Sequence, residues 1–354
     1  MKRALIAMSG GVNSSLAAKL MIDRGYECIG CTMKLYNNED VGISRNRTCC
    51  SLEDVNDARS VAYKLGMLYY VFNFTDDFNK KVIQKFVQSY EAGVTPNPCI
   101  DCNRYMKFEK LCERAQILDC DYIVTGHYAR IEEQAGKFVL KKALDETKDQ
   151  SYVLYFMTQD QLVHTMFPLG SMQKTEVRAI AKESGFVNAD KPDSQDICFV
   201  PNGDYASVIE LQTGKESAEG NFVDKQGNNL GRHKGVIHYT IGQRKGLGVS
   251  STEPLYVCNI CPKDGNVVLG SNDDLFSREA DVSDFNWISG EVPGSEFRCK
   301  AKIRYRQPEQ WVTVIPTGAD TVHIVFDEPQ RAITPGQAAV FYDGDTVLGG
   351  GTIK

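Results

Sequence analysis

The stretch MSGGVNSS, residues 8–15, follows a short apolar run and leads directly into LAAKLMIDRG, which is patterned as a helix. A strand that turns through Gly10 and Gly11 into a helix beginning near Ser14 and Ser15 aims several backbone N–H groups at one point. The positive end of the helix dipole points the same way. Such a point suits a phosphate. A Walker-type loop would add a lysine in G-x-x-x-x-G-K-[ST], and a dinucleotide fingerprint would read G-x-G-x-x-G. Neither is present. A serine-capped helix after a glycine turn would give the same eight residues with no ligand at all.

Beyond the loop, strand patterns at residues 3–8, 27–33, 67–73 and 121–126 alternate with helical patterns at 14–24, 51–65, 78–92 and 104–115. Gly25 and Gly66 stop the first two helices, and Ser51-Leu-Glu-Asp54 reads as a capping-box start for the second. This alternation predicts an α/β domain with a parallel sheet over residues 1–205. Ligands in such sheets sit at the carboxyl ends of the strands, where loop 8–15 and Gly126-His127 both fall. After residue 205 glycines become frequent, residues 263–266 read as a hairpin turn, and strand patterns at 311–315, 321–326 and 338–342 follow without helices. The expectation is a small mixed β domain at 206–272 and a C-terminal β-barrel at 273–354.

The chain has 354 residues, 42% hydrophobic and 24% charged, with a net charge of −6. No apolar run approaches the roughly 20 residues that span a bilayer, so no membrane partner is expected. Met1-Lys2-Arg3 runs into the first strand pattern without a secretory leader. Twelve cysteines in such a chain point to the cytoplasm, where thiols serve metals or sulfur chemistry more often than structural disulfides. The acidic balance excludes indiscriminate nucleic-acid binding and leaves room for a local basic surface.

Cys28 and Cys31 lie three apart in a strand pattern, face opposite sides and read as core. Cys258 and Cys261 share that geometry, and a zinc site there would need two further ligands. Cys49-Cys50 receives no assignment. In TPNPCIDCNRYMKF, residues 95–108, two prolines hold the chain extended, and Cys99 and Cys102 come just before a helix, where the dipole favours thiolate. Cys198, in KPDSQDICFV, is a third thiol in a polar loop. A phosphate loop with nucleophilic thiols suggests that a nucleotide activates a substrate oxygen, which sulfur then displaces. Finally, Arg298, Lys300, Lys302, Arg304 and Arg306 put a cation at every second residue. On one strand these would stand about 6.6–6.8 Å apart, near the phosphate pitch of a nucleic-acid strand. An ordinary solvated strand face is the alternative.

Taken in order, MSGGVNSS, TPNPCIDCN, TGHYAR, KDQSYVLY, DSQDICF, HYTIGQRKGLG, KIRYRQ and TPGQAAVFY resemble the bacterial tRNA-specific 2-thiouridylases of the MnmA/TrmU family, in the PP-loop ATP-pyrophosphatase group. The resemblance implies adenylation of O2 of the wobble uridine, replacement of that oxygen by sulfur, and release of AMP and pyrophosphate. It accounts for the missing lysine, since that loop holds the departing pyrophosphate through backbone amides and small hydroxyls. By position it implies that Met8, Ser9, Gly10, Gly11, Val12, Asn13, Ser14 and Ser15 bind ATP, flanked by Met33 and Gly126, with Mg2+ as the companion ion. Cys102 matches the nucleophile and Cys198 the persulfide-bearing cysteine. Asn97, Pro98, His127, Lys148, Asp149, Gln150, Arg304, Tyr305 and Gln337 match tRNA-contacting positions. The implied partners are glutamate, glutamine and lysine tRNAs, with a cysteine desulfurase or sulfur-relay protein as donor.

Two departures matter. The loop usually reads S-G-G-V-D-S, whereas this chain has Asn13, an amide that can still cap the helix but carries no charge for magnesium. The implied consequence is a slower ATP step, with a tRNA-binding homologue of impaired ATP chemistry as the alternative. Many relatives carry aspartate where this chain has Cys99. Cys99, Cys102 and Cys198 together could therefore hold a [4Fe–4S] cluster instead of working through a persulfide. A different PP-loop adenylating enzyme would have little use for these thiols.

Overall fold

The computed structural model describes residues 1–42, 52–193, 196–200 and 203–354. The capping box read at Ser51 and the pair Cys49-Cys50 fall outside the described residues.

The N-terminal region opens with β1 (Arg3–Ala7), α1 (Val12–Asp23), β2 (Glu27–Lys34), α2 (Leu52–Lys64) and β3 (Leu68–Asn73). A helical run, α3 (Thr75–Phe78), a π-helical turn at Asn79–Ile83 and α4 (Gln84–Glu91), precedes α5 (Pro98–Asp101). The latter continues through π-helical Cys102–Lys110 into α6 (Leu111–Ile117). Next come β4 (Tyr122–Val124), the hairpin β5 (Arg130–Gln134) and β6 (Lys137–Lys141), α7 (Gln159–Val163), β7 (Thr165–Met166), α8 (Lys174–Glu183) and α9 (Tyr205–Thr213).

Five strands form a parallel sheet in the order β3-β2-β1-β4-β7. β1 is central, and its Ala4–Ala7 run is buried, as a strand covered on both faces requires. α1 packs between this sheet and α8, with Ala17, Ala18 and Met21 against Ala181, and Leu16 against Tyr128 and Val177. Gly25 and Gly66 follow the first two helices with φ of 81° and 70°, the left-handed cap that glycine supplies without strain.

Two helix starts differ from the sequence reading. α1 begins at Val12, with Gly11 as its N-cap. The helix expected from residue 104 begins at Pro98, because Pro98 occupies the first helical position and the Asn97 side chain accepts a hydrogen bond from the Cys99 N–H at 3.2 Å. Cys99 and Cys102 therefore lie in the opening turns of the helix, not before it.

The remainder is β structure. β8 (Gly220–Val223), β9 (Asn229–His233), β10 (Tyr256–Cys261) and β11 (Asn266–Gly270) make a mixed sheet in the order β10-β11-β8-β9, with the expected hairpin turn between β10 and β11. β12 (Phe276–Trp287), β13 (Phe297–Lys302), β14 (Gln310–Pro316), β15 (Val322–Arg331), β16 (Ala338–Asp343) and β17 (Thr346–Ile353) pair as antiparallel neighbours. A β12–β17 pairing closes them into a six-stranded barrel. The β5–β6 hairpin of the first region reaches across to β17, where Arg130 and Lys141 both meet Asp345, at 2.6 and 3.2 Å. Arg104, one helical turn beyond Ile100, likewise pairs with Asp284 of β12 at 2.7 Å. Among the described residues no helix is long and apolar enough to cross a membrane.

Candidate active site

Loop 8–15 leaves the carboxyl end of β1 and turns through Gly10 at φ +75°. The serine-capped alternative does not hold, because α1 has no side-chain cap. Ser14 and Ser15 each donate their hydroxyl proton to the Gly11 carbonyl, at 3.0 and 3.2 Å, and Ser14 Oγ accepts the Ser9 N–H at 3.2 Å. Among the described residues the amides of the first turn meet no side-chain acceptor, the condition for an anion site at a helix start. Met8 is pinned beneath the loop by its N–H to the Cys31 carbonyl at 2.7 Å and by Thr32 Oγ1 on its own carbonyl at 2.6 Å. Met33, at the carboxyl end of β2, is partly buried alongside. Gly126 presses on the same turn, and a Cβ there would stand 2.8 Å from Asn13 C and Ser14 N.

Asn13 was expected to cap α1. Its side chain points elsewhere: Oδ1 accepts from Lys174 Nζ at 2.6 Å and from the Tyr128 hydroxyl at 3.3 Å. Lys174, almost fully buried on α8, also donates to Asp193 Oδ1 at 2.6 Å, while Lys148 reaches Asp193 Oδ2 at 2.9 Å. Burial lowers the Lys174 pKa below the usual lysine range. Asp193 opposes this only in part, and the nearby charges of Arg178 and Lys148 push with burial. Burial alone would raise Asp193, but the two lysines more than offset it and hold its carboxyl below the usual value. Asn188 adds a tie from below, donating to the Gly10 carbonyl at 2.8 Å and to Ser15 Oγ at 2.9 Å. Lys174, Asp193, Asn188 and Tyr128 were missed in the sequence. A triphosphate loop without its own lysine is the one signal that could have sent the search to distant lysines.

Cys102 and Cys198, 96 positions apart by their numbering, pack partly buried against one aromatic core that includes Tyr36, Phe78, Phe86 and Phe199. The chain is moored ahead of Cys198 and at Cys198 itself. Lys191 pairs with Asp54 and Asp57 of α2 at 2.6 and 2.7 Å, and the Tyr36 hydroxyl donates to the Cys198 carbonyl at 2.6 Å. Cys99 is exposed and lies by Tyr305 of the barrel. Among the described residues no three Cys, His, Asp or Glu side chains converge into a metal-ligand set. In this arrangement the three cysteines do not form a cluster cradle. Cys28 and Cys31 are core, as expected, and burial raises both thiols, Cys28 to about 11.

The residues matched to RNA contacts divide into two groups. Gln337 donates to the Thr95 carbonyl at 2.9 Å, Asn97 caps α5 over buried Pro98, and the Tyr305 hydroxyl donates to the Asp149 carbonyl at 2.9 Å. These line the seam between the α/β domain and the barrel, next to Cys99. Asp149 and Gln150 spend their side chains on the local fold, on Ala143 and Ser151 and on the Tyr128 N–H. Arg304 folds back onto the Ala332 carbonyl and Thr334 at 3.0 and 2.9 Å.

The five-cation strand face is corrected by the same turn. β13 ends at Lys302, and the chain reverses with the Gln307 N–H on the Arg304 carbonyl at 3.2 Å, so only Arg298, Lys300 and Lys302 alternate on a strand. Arg298 is paired with Asp327, and Lys302 approaches Glu309 at 4.0 Å. Arg298 and Lys300 flank the half-exposed ring of Trp311.

His127 is buried, with Nδ1 on Thr125 Oγ1 at 2.7 Å and Nε2 facing Lys107 Nζ at 3.4 Å. Burial first, and the Lys107 charge second, hold its pKa well below the usual histidine value. The unfolded chain takes up a proton at this residue below about pH 6.5 while the folded protein does not, so stability falls as pH falls, by up to about 1.4 kcal/mol per pH unit. Melting curves between about pH 7.5 and 5.5 check this. His127→Gln should flatten the slope, and an unchanged slope would assign the acid loss to other groups.

Family comparisons agree with this organisation. A profile described as the tRNA methyl transferase HUP domain matches residues 2–202. A PRC-barrel domain profile from the same series matches 210–271, and an aminomethyltransferase beta-barrel domain profile matches 277–353. The chain is 50% identical over its whole length to the tRNA-specific 2-thiouridylase MnmA of Clostridioides difficile (strain 630), covering 98% of that protein. It is 49% identical to the MnmA of Symbiobacterium thermophilum, over 100% of this chain and 92% of the relative. It is 51% identical to MnmA 1 of Thermoanaerobacter sp. (strain X514), over 99% and 98% respectively.

Proposed function

This chain belongs to the tRNA-specific 2-thiouridylase family, and on that premise we propose the reaction that its own residues carry out. It is an ATP-dependent tRNA-uridine 2-sulfurtransferase. The observation that carries the reading is the uncapped helix start behind Gly10-Gly11, combined with two thiols, Cys102 and Cys198, held against one core. The triphosphate would be held by the first-turn amides of α1, with Mg2+ as the counter-ion that neutralises it. O2 of the wobble uridine attacks the α-phosphorus, the bond to the bridging oxygen breaks, and pyrophosphate leaves with the electron pair. The uridine reaches the pocket swung out of its stack, as chemistry on a base requires.

Sulfur then arrives as a persulfide on Cys198. Its terminal sulfur adds to C2 and AMP departs. The Cys102 thiolate attacks Cys198 Sγ, the outer S–S bond breaks, and 2-thiouridine is released with a Cys102–Cys198 disulfide that an external thiol reduces. Cys99 beside Tyr305 stands at the RNA-facing seam, where Asn97, Gln337 and Tyr305 gather. The sulfur donor is a cysteine desulfurase or a relay protein, and glutamate, glutamine and lysine tRNAs are the substrates.

Asn13 keeps the acceptor role of its position, because a lysine ammonium sits on its amide oxygen. This favours turnover over a binding-only protein. The test is an anaerobic reaction with unmodified tRNA, ATP, magnesium and either sulfide or a persulfide donor, with nucleosides read by mass spectrometry. Thiouridine that requires ATP supports the reading. tRNA binding without AMP or thiouridine would replace it with RNA recognition alone.

A further inference from the structure

The loop has no lysine, and two of its three hydroxyls are already spent, since Ser14 and Ser15 each give their only proton to the Gly11 carbonyl. Pyrophosphate leaving an α-phosphorus carries more negative charge than backbone amides alone neutralise well. Cationic side chains close to the loop would share that charge with the magnesium ion. Lys174 Nζ is one hydrogen bond from it, 2.6 Å from Asn13 Oδ1. An ammonium has three donors, and the second goes to Asp193 Oδ1 at 2.6 Å, which leaves one proton undirected. Asn13 is neutral, so it holds this cation in place without cancelling it.

Lys148 shares the same carboxylate at 2.9 Å, and Arg178 stands 4.0 Å from it. Asp145 is the other anion nearby, spent on the Lys174 backbone N–H at 3.0 Å and on Thr147. Three cations thus face two carboxylates beside the loop. The arrangement is also fixed in space, since Lys174 lies on α8, which packs on α1.

We propose that Lys174 and Lys148, bridged by Asp193, form the subsite for the leaving pyrophosphate. They would supply from outside the loop the cation that a Walker lysine supplies from within. Lys174 contacts the departing group, Lys148 closes over it from the more exposed side, and Asp193 is a positioning residue that keeps the two ammonium groups together. This assigns Lys148 to the nucleotide and not to the RNA. The inference rests on the ATP reading of the loop proposed above.

The test is calorimetric titration of the full chain with magnesium pyrophosphate and separately with tRNA. Lys174→Met should weaken pyrophosphate binding at least tenfold and leave tRNA affinity within twofold. The double variant Lys174→Met with Asp193→Asn separates contact from charge balance. If Lys174 only neutralises Asp193, removing both restores wild-type binding and overturns the proposal. If Lys174 touches the phosphate, the double variant stays weak. Lys148→Met, at a more exposed position, guards against a folding defect. Weaker pyrophosphate binding with intact tRNA affinity supports the subsite, and the reverse pattern returns Lys148 to the RNA and overturns it. A wild-type protein that binds neither ATP nor pyrophosphate would instead defeat the underlying ATP reading.

Discussion

Cys198→Ser should abolish thiouridine formation, by about 10⁴-fold or more, while ATP-dependent release of pyrophosphate continues on bound tRNA. Losses of that size accompany removal of a nucleophile whose supporting groups stay in place. Those groups do stay. The Cys198 segment is held by Lys191 on Asp54 and Asp57, by Asp193 on two lysines, and by Tyr36 on the Cys198 carbonyl, none of which involves the sulfur. Loop 8–15 should therefore still bind ATP and adenylate the base. Cys102→Ser should give the same split, since Cys102 packs on the same core and leaves the loop untouched. The measurement is paired: pyrophosphate by an enzymatic assay and nucleosides by mass spectrometry, on the same reaction. Thiouridine made by Cys198→Ser from a persulfide donor would remove Cys198 from the sulfur path. Loss of pyrophosphate release together with thiouridine would mean that Cys198 positions the nucleotide.

That split between adenylation and sulfur transfer was partly visible in the sequence. The parallel sheet was legible because strand patterns alternate with helical patterns, the first two of which stop at Gly25 and Gly66, a pattern set by local rules. The phosphate loop was legible for the same reason, since Gly10-Gly11 between a strand and a helix supplies the left-handed turn and close backbone approach that other residues cannot take. The partners of Asn13 were not. Lys174 and Tyr128 lie 161 and 115 positions away from it, and it is the packing of α8 and Tyr128 on α1 that brings them to it. The basic strand was misread because alternation was extended past Lys302, where local hydrogen bonding at Arg304 and Gln307 ends the strand. The start of the Cys102 helix was misplaced because a proline read as extended chain is equally a first-turn residue, and only the Asn97 cap decides between them. The β5–β6 hairpin, placed with the α/β domain by its position in the chain, also joins the barrel sheet through Asp345.

Gly10→Ala should be the most damaging single substitution in the loop, costing about 3 kcal/mol or more of stability and removing measurable ATP binding. At φ +75° a Cβ brings roughly 1–2 kcal/mol of left-handed strain by itself. Space adds the remainder, because that Cβ would lie 2.4 Å from the Asp54 carbonyl oxygen and 2.7 Å from its Cα, both backbone atoms of α2. α2 cannot easily withdraw, since Lys191 ties Asp54 and Asp57 to the Cys198 segment, nor can the loop, since Asn188 holds the Gly10 carbonyl. Gly25→Ala is the control, with a similar φ of 81° and nothing within 4 Å of the added carbon. It should show the strain alone and bind ATP normally. The difference between the two melting temperatures then isolates the contact with α2, and equal shifts with ATP affinity retained in both would show that the loop yields and that its close seating on α2 is dispensable for the nucleotide.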